Sequence, residues 1–140
     1  MRTLLILILL FGLAKSGLDA ADFNATKNRR VLVVAGAGGE LEYAQLFADW
    51  AETLAKAFEG NAAELVHLSN GPEETGARKT IEAKLKLWAE AKGDEIWILL
   101  VGHGTFDGKE AKFNLVGDDV SDKEFQYWLK PHEGPLVFIN

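Results

Sequence analysis

His103 stands between Gly102 and Gly104, at the point where the apolar run Trp97-Ile-Leu-Leu-Val101 turns polar. Histidine is the side chain whose ordinary pKa suits it to take and return a proton near neutral pH. A flanking glycine lets a substrate backbone come close, and the unencumbered N–H of Gly104 is of the kind that stabilises a developing oxyanion. A base of this kind needs a nucleophile to activate. The chain has no cysteine, so the candidates within it are hydroxyls: Ser69, Thr105 and Ser121. Ser69 follows a different strand, Thr105 is nearly adjacent to the histidine in sequence, and Ser121 fits better as a helix cap. None of the three makes a persuasive partner.

The other chemistry-bearing residues are weaker. Gly36, Gly38 and Gly39 in "VVAGAGGE" invite a nucleotide-binding reading, but Leu41 holds the third glycine position of the dinucleotide fingerprint and no phosphate-loop lysine follows. A tight turn from strand to helix accounts for them better, although such a loop can line a ligand cleft. His67 and His132 have no metal-ligand spacing, and Asp118-Asp119 lacks the surrounding calcium-loop pattern and reads as a solvated turn. No metal and no cofactor is expected.

The positioning elements follow from hydrophobic period and punctuation. Val31 to Ala35 is a β-branched run closed by glycines, the pattern of a parallel strand buried on both faces. Tyr43, Phe47, Trp50, Leu54 and Phe58 recur at helical steps over 41 to 59, and Gly60-Asn61 stops the helix. Residues 63 to 68 form a short second strand, and a loop by composition follows, with Thr75 as a cap. Ile81, Leu85 and Trp88 mark a second helix from Ala77 to Lys92, and 95 to 102 is the third and strongest strand.

Asp107-Gly108 predicts a two-residue hairpin turn with 112 to 117 as its returning arm. Ser121 and Glu124 form a capping box opening a short helix that packs Phe125, Trp128 and Leu129; Pro131 closes it, and "LVFIN" is the fourth strand. Strands alternating with helices predict an α/β fold, a three-layer α/β/α sandwich with a mostly parallel sheet. In such sheets ligands gather at the carboxyl ends of strands, where both glycine motifs lie.

Bulk composition agrees with one domain over 30–140. The 140 residues are 48% hydrophobic and 26% charged, values of a packed globular chain. The net charge of −6, with lysines and arginines scattered, argues against nucleic acid as a partner. The N-terminus has Arg2 followed by an apolar run from Leu4 to Leu13, too short to span a bilayer. Residues 1–20 therefore read as a signal peptide cleaved after Ala14 or Ala20, with 21–29 as a linker. A secreted, periplasmic or cell-envelope location follows, with no stable membrane span after cleavage. Asn24-Ala25-Thr26 matches the glycosylation sequon. The chain stops at Asn140 within an apolar strand, which suggests a fragment truncated at its C-terminus.

Taken together, "VAGAGGELEYAQLFADWAETLAKAF", "WILLVGHGTFDGKEAKFNL" and "LVFIN" resemble the caspase-hemoglobinase fold of clan CD cysteine peptidases, the nearest family being legumain (asparaginyl endopeptidase) and its bacterial relatives. The likeness covers nearly all of residues 30 to 140. It implies that His103 is the general base and that Gly104 donates an oxyanion-hole N–H; Gly36, Gly38, Gly39 and Thr105, at the same strand ends, are expected to border the substrate cleft. It also implies a cysteine nucleophile about two residues beyond Asn140. The implied activity is hydrolysis of peptide bonds in a peptide or protein substrate, with this chain alone inactive. Two departures stand out. Asn140 replaces the family's acidic residue, so a pseudo-peptidase acting as a binding or scaffold module is the alternative, with an unrelated small-ligand-binding α/β domain behind it. Residues 36 to 43 contain no arginine, so specificity for Asn or Asp is not supported.

Overall fold

The computed structural model describes residues 28–69 and 76–140. The signal peptide, the sequon at Asn24, most of the linker and the Thr75 cap lie outside the described residues. Seven strands and three helices follow in chain order: β1 (Arg29–Ala35), α1 (Leu41–Phe58), β2 (Glu64–Leu68), α2 (Ala77–Glu90), β3 (Glu95–Val101), β4 (Gly104–Phe106), β5 (Ala111–Phe113), β6 (Val120–Ser121), α3 (Asp122–Leu129) and β7 (Leu136–Ile139). The main sheet has the order β2-β1-β3-β7, parallel throughout. Helices cover both of its faces, giving the expected α/β/α sandwich.

The alternation of side chains along β1 divides the core into two halves. Val31, Val33 and Ala35 point to α1, where they meet Phe47, Ala51 and Ala55, with Leu99 of β3 in the same cluster. Leu32 and Val34 point the other way, with Ile96, Ile98 and Leu100, onto Ile81, Leu85 and Trp88 of α2 and Phe125 and Trp128 of α3. Both faces of the central strands are thus dry, which is why their sequences run apolar without a break.

Several local expectations are corrected. The α1 stripe that reaches the sheet is Phe47–Ala51–Ala55, while Tyr43 and Trp50 are exposed on the helix flanks. Alanines at the contact let the helix axis sit close to the sheet, and the larger rings are displaced outward. The hairpin turn falls one residue later than Asp107-Gly108: Phe106 pairs with Ala111, the Asp107 N–H donates to the Glu110 carbonyl at 3.3 Å, and the Asp107 carboxylate accepts the N–H groups of Lys109 and Glu110 at 2.9 Å each. Its returning arm is only Ala111–Phe113, and a third strand, β6, pairs beyond it to make a small antiparallel sheet of order β4-β5-β6. The Ser121 capping box forms as expected, with the Ser121 hydroxyl accepting the Glu124 N–H and the Glu124 carboxylate accepting the Ser121 N–H.

Charged groups gather at the amino ends of the strands. Glu64 accepts from Trp88 Nε1 at 2.7 Å, Lys84 Nζ at 2.7 Å and Arg30 at 3.1 Å, while Arg30 also binds Asp94 at 2.6 Å. This network ties β1, β2, α2 and the start of β3 together at the end of the sheet opposite His103.

Candidate functional site

Two loops meet at the carboxyl ends of the central strands. The Gly36 N–H donates to the Val101 carbonyl at 2.8 Å, so the chain leaving β1 is still bound to β3. Gly102 passes so near that a Cβ there would lie 2.9 Å from Gly36 Cα. A Cβ on Gly36 would itself lie 2.8 Å from both the Asn114 carbonyl oxygen and the Phe113 ring. A Cβ on Gly38 would run into the Ala44 backbone in the first turn of α1. Gly36 and Gly38 are therefore packing glycines, buried rather than facing a cleft. Gly39, with φ of +72° and open space around it, serves the turn into α1.

His103 leaves β3 on the face that carries α1. Its ring stands edge-on to Phe47 with centroids 5.0 Å apart and to Tyr43 at 5.6 Å. The residue is exposed, so the imidazole is held by two rings on one side and open to solvent on the other. Its carbonyl accepts the Asn114 N–H at 3.0 Å, and the Asn114 carbonyl accepts the Ala37 N–H at 2.8 Å. Asn114 thereby stitches the histidine loop to the glycine loop.

Asp119, expected to be a solvated turn residue, fixes Asn114 in turn. It accepts the Leu115 N–H and the Asn114 side-chain amide, both at 3.0 Å. Asn114 and Asp119 were invisible as site residues in the sequence, since each matters only through partners that the fold brings to it.

The hydroxyl candidates do not gather around the base. Ser121 is buried and occupied as the cap of α3. Ser69 follows β2, which is separated from β3 by β1, a gap of roughly 10 Å at ordinary strand spacing. Thr105 is exposed, with its Oγ1 at 3.5 Å from the Asn114 amide. Gly104 lies at the edge of the small sheet, and the ladder leaves its N–H pointing away from β5. Pairing sets His103 opposite Asn114 and Thr105 opposite Lys112 as the bonded pairs, so Gly104 falls between them.

A hollow of about 860 Å3 lies elsewhere and is lined by Arg78, Lys112, Lys123, Glu110, Asp118 and Glu124 among others. Its charges are largely paired with one another, as in Arg78 with Glu124 and Lys123 with Glu110. His67 is half-buried with an unpartnered Nε2, and His132 Nε2 lies 3.2 Å from the Pro135 carbonyl. Among the described residues, no group of three or more His, Asp or Glu side chains is placed to hold a metal ion. None of the described helices is long and apolar enough to cross a membrane.

Comparison with known protein families, curated proteins and solved structures finds no match to this chain.

Proposed function

We propose that this chain is the base-carrying portion of a cysteine-type endopeptidase similar to the caspase and legumain group. His103 acts as general base and Gly104 as a donor to the oxyanion. The nucleophile follows β7. The observation that carries this reading is the register of β7 on β3. Leu99 lies opposite Ile139 in a parallel pair, so a residue two positions beyond Asn140 stands level with Gly102. At the ordinary strand separation of roughly 4.8 Å, that position neighbours the base.

In the complete protein the Cys thiol gives its proton to His103, and the thiolate attacks the scissile carbonyl carbon. The carbonyl oxygen takes the negative charge and is met by the Gly104 N–H. His103 then returns the proton to the leaving amine, and water hydrolyses the thioester. Phe47 and Tyr43 hold the imidazole ring against α1 without occupying its solvent side.

A second reading is a non-enzymatic binding or scaffold module of the same fold. It is favoured by the lack of a well-placed nucleophile among the described residues, and a residue other than cysteine after β7 selects it. The small-ligand reading of the glycine loop is weakened by the filled space around Gly36 and Gly38. The proposed substrate is a peptide or protein, handled in the secretory or envelope compartment expected from the leader. The test is a His103→Ala substitution in the complete protein. Peptide hydrolysis should fall at least ~100-fold, the usual contribution of a positioned acid–base group; unchanged turnover contradicts the assignment.

A further inference from the structure

We infer that an extended peptide binds by adding a strand to the open edge of β4, held by the outward backbone groups of Gly104 and Phe106. The inference rests on the peptidase reading of His103 and says how that site would hold its substrate's backbone. In the β4–β5 ladder the bonded pairs are His103 with Asn114, Thr105 with Lys112, and Asp107 with Glu110. The alternate residues, Gly104 and Phe106, have their N–H and C=O directed away from β5. β4 is the edge of its sheet, so among the described residues no strand meets them.

Three features suit this edge to a peptide. The two outward residues are spaced by one strand period, roughly 6.8 Å, which matches the backbone repeat of any extended chain whatever its sequence. Gly104 has no side chain to obstruct an approaching backbone. All three residues of β4 are exposed, and Phe106, with 71% of its surface in solvent, offers an apolar contact beside the edge. β4 carries no charge and no proline, and among the described residues no strand pairs with its outer edge. The carbonyl received by the Gly104 N–H then belongs to the scissile bond. Phe106 holds the residue two positions away along the peptide.

Proline separates this backbone role from a side-chain role. Phe106→Pro deletes the outward N–H but no ladder bond to β5, and a strand edge accommodates it. Phe106→Ala deletes the ring and keeps the N–H. The probe is the acetylated, amidated pentapeptide Thr-Val-Thr-Val-Thr, titrated against the 15N-labelled 140-residue protein and followed by amide chemical shifts. Its control is the same peptide N-methylated on alternate amides.

The expected result is movement of the Gly104 and Phe106 amides in the native protein and none with the methylated peptide. Phe106→Pro should bind roughly two- to tenfold more weakly than Phe106→Ala, the loss of one backbone hydrogen bond. Equal binding of the methylated peptide, equal affinity of the two variants, or shifts centred away from residues 104 to 106 would overturn the inference. The methylated control keeps the test decisive even if Phe106→Pro disturbs the hairpin. A complete protein that cleaves peptides without engaging this edge defeats this inference alone. Edge binding by a complete protein that cleaves nothing defeats the peptidase reading and leaves a peptide-binding site.

Discussion

The His103 imidazole stands edge-on to the buried Phe47 ring, with centroids 5.0 Å apart and planes at 77°. Through this contact α1 holds the candidate base. Phe47→Ala should remove both the contact and a core side chain, costing about 3–5 kcal/mol in unfolding free energy. His103 ring resonances should move with it, and a chemical-denaturation series with NMR of the imidazole protons checks both. A His103 ring unmoved by the substitution would show that Phe47 does not position it.

The glycines after β1 should respond differently to alanine. Gly36→Ala places a methyl 2.8 Å from the Asn114 oxygen and the Phe113 ring, so about 1–3 kcal/mol of overpacking is expected. Gly39→Ala meets no atom and pays only for its φ of +72°, about 1–2 kcal/mol. Gly38→Ala should be the worst, because the obstacle is the backbone of α1 itself. Thermal unfolding of the three variants gives the order directly.

Acid should loosen the amino-terminal end of the sheet through Glu64. Burial by itself pushes this carboxyl up. The hydrogen bonds from Lys84 and Trp88, and the Lys84 and Arg30 charges, together outweigh it and hold the group below its ordinary range. A carboxyl depressed by folding contributes stability above its unfolded pKa, near ~4.3, and that contribution is lost as pH falls through the lower folded value. Glu64→Gln should therefore cost stability at pH 7 and show a shallower loss below about pH 4. Parallel acid limbs for the native protein and the variant would contradict this account.

The capping box predicts a local effect. Ser121→Ala removes the hydroxyl that accepts the Glu124 N–H and should cost about 0.5–2 kcal/mol. Hydrogen exchange should quicken in the first turn of α3 and leave β1 unchanged.

The architecture was legible where one element's own period decided its burial. Ile81, Leu85 and Trp88 were marked by spacing and are fully buried. The capping box likewise needs only residues three apart. Legibility failed where a neighbour's shape decided. Ala51 and Ala55 displaced Tyr43 and Trp50 from the contact, and β6 is too short to carry a pattern. For the candidate site, the sequence showed His103 and Gly104 but not their supports. Phe47 is set by the packing of α1, and Asn114 and Asp119 act through backbone groups whose identity a sequence does not reveal. The glycines at 36 and 38 were visible, and their role in letting two loops pass emerged only with the fold.

The central claim is that His103 serves a cysteine that follows β7. The most direct measurement is to treat the complete protein with a peptide-based thiol electrophile and map the adduct by mass spectrometry, with and without His103→Ala. The account predicts a single adduct on a cysteine just beyond Asn140, forming at least ~100-fold more slowly when His103 is replaced. No adduct in that segment, or one whose rate ignores His103, would contradict it.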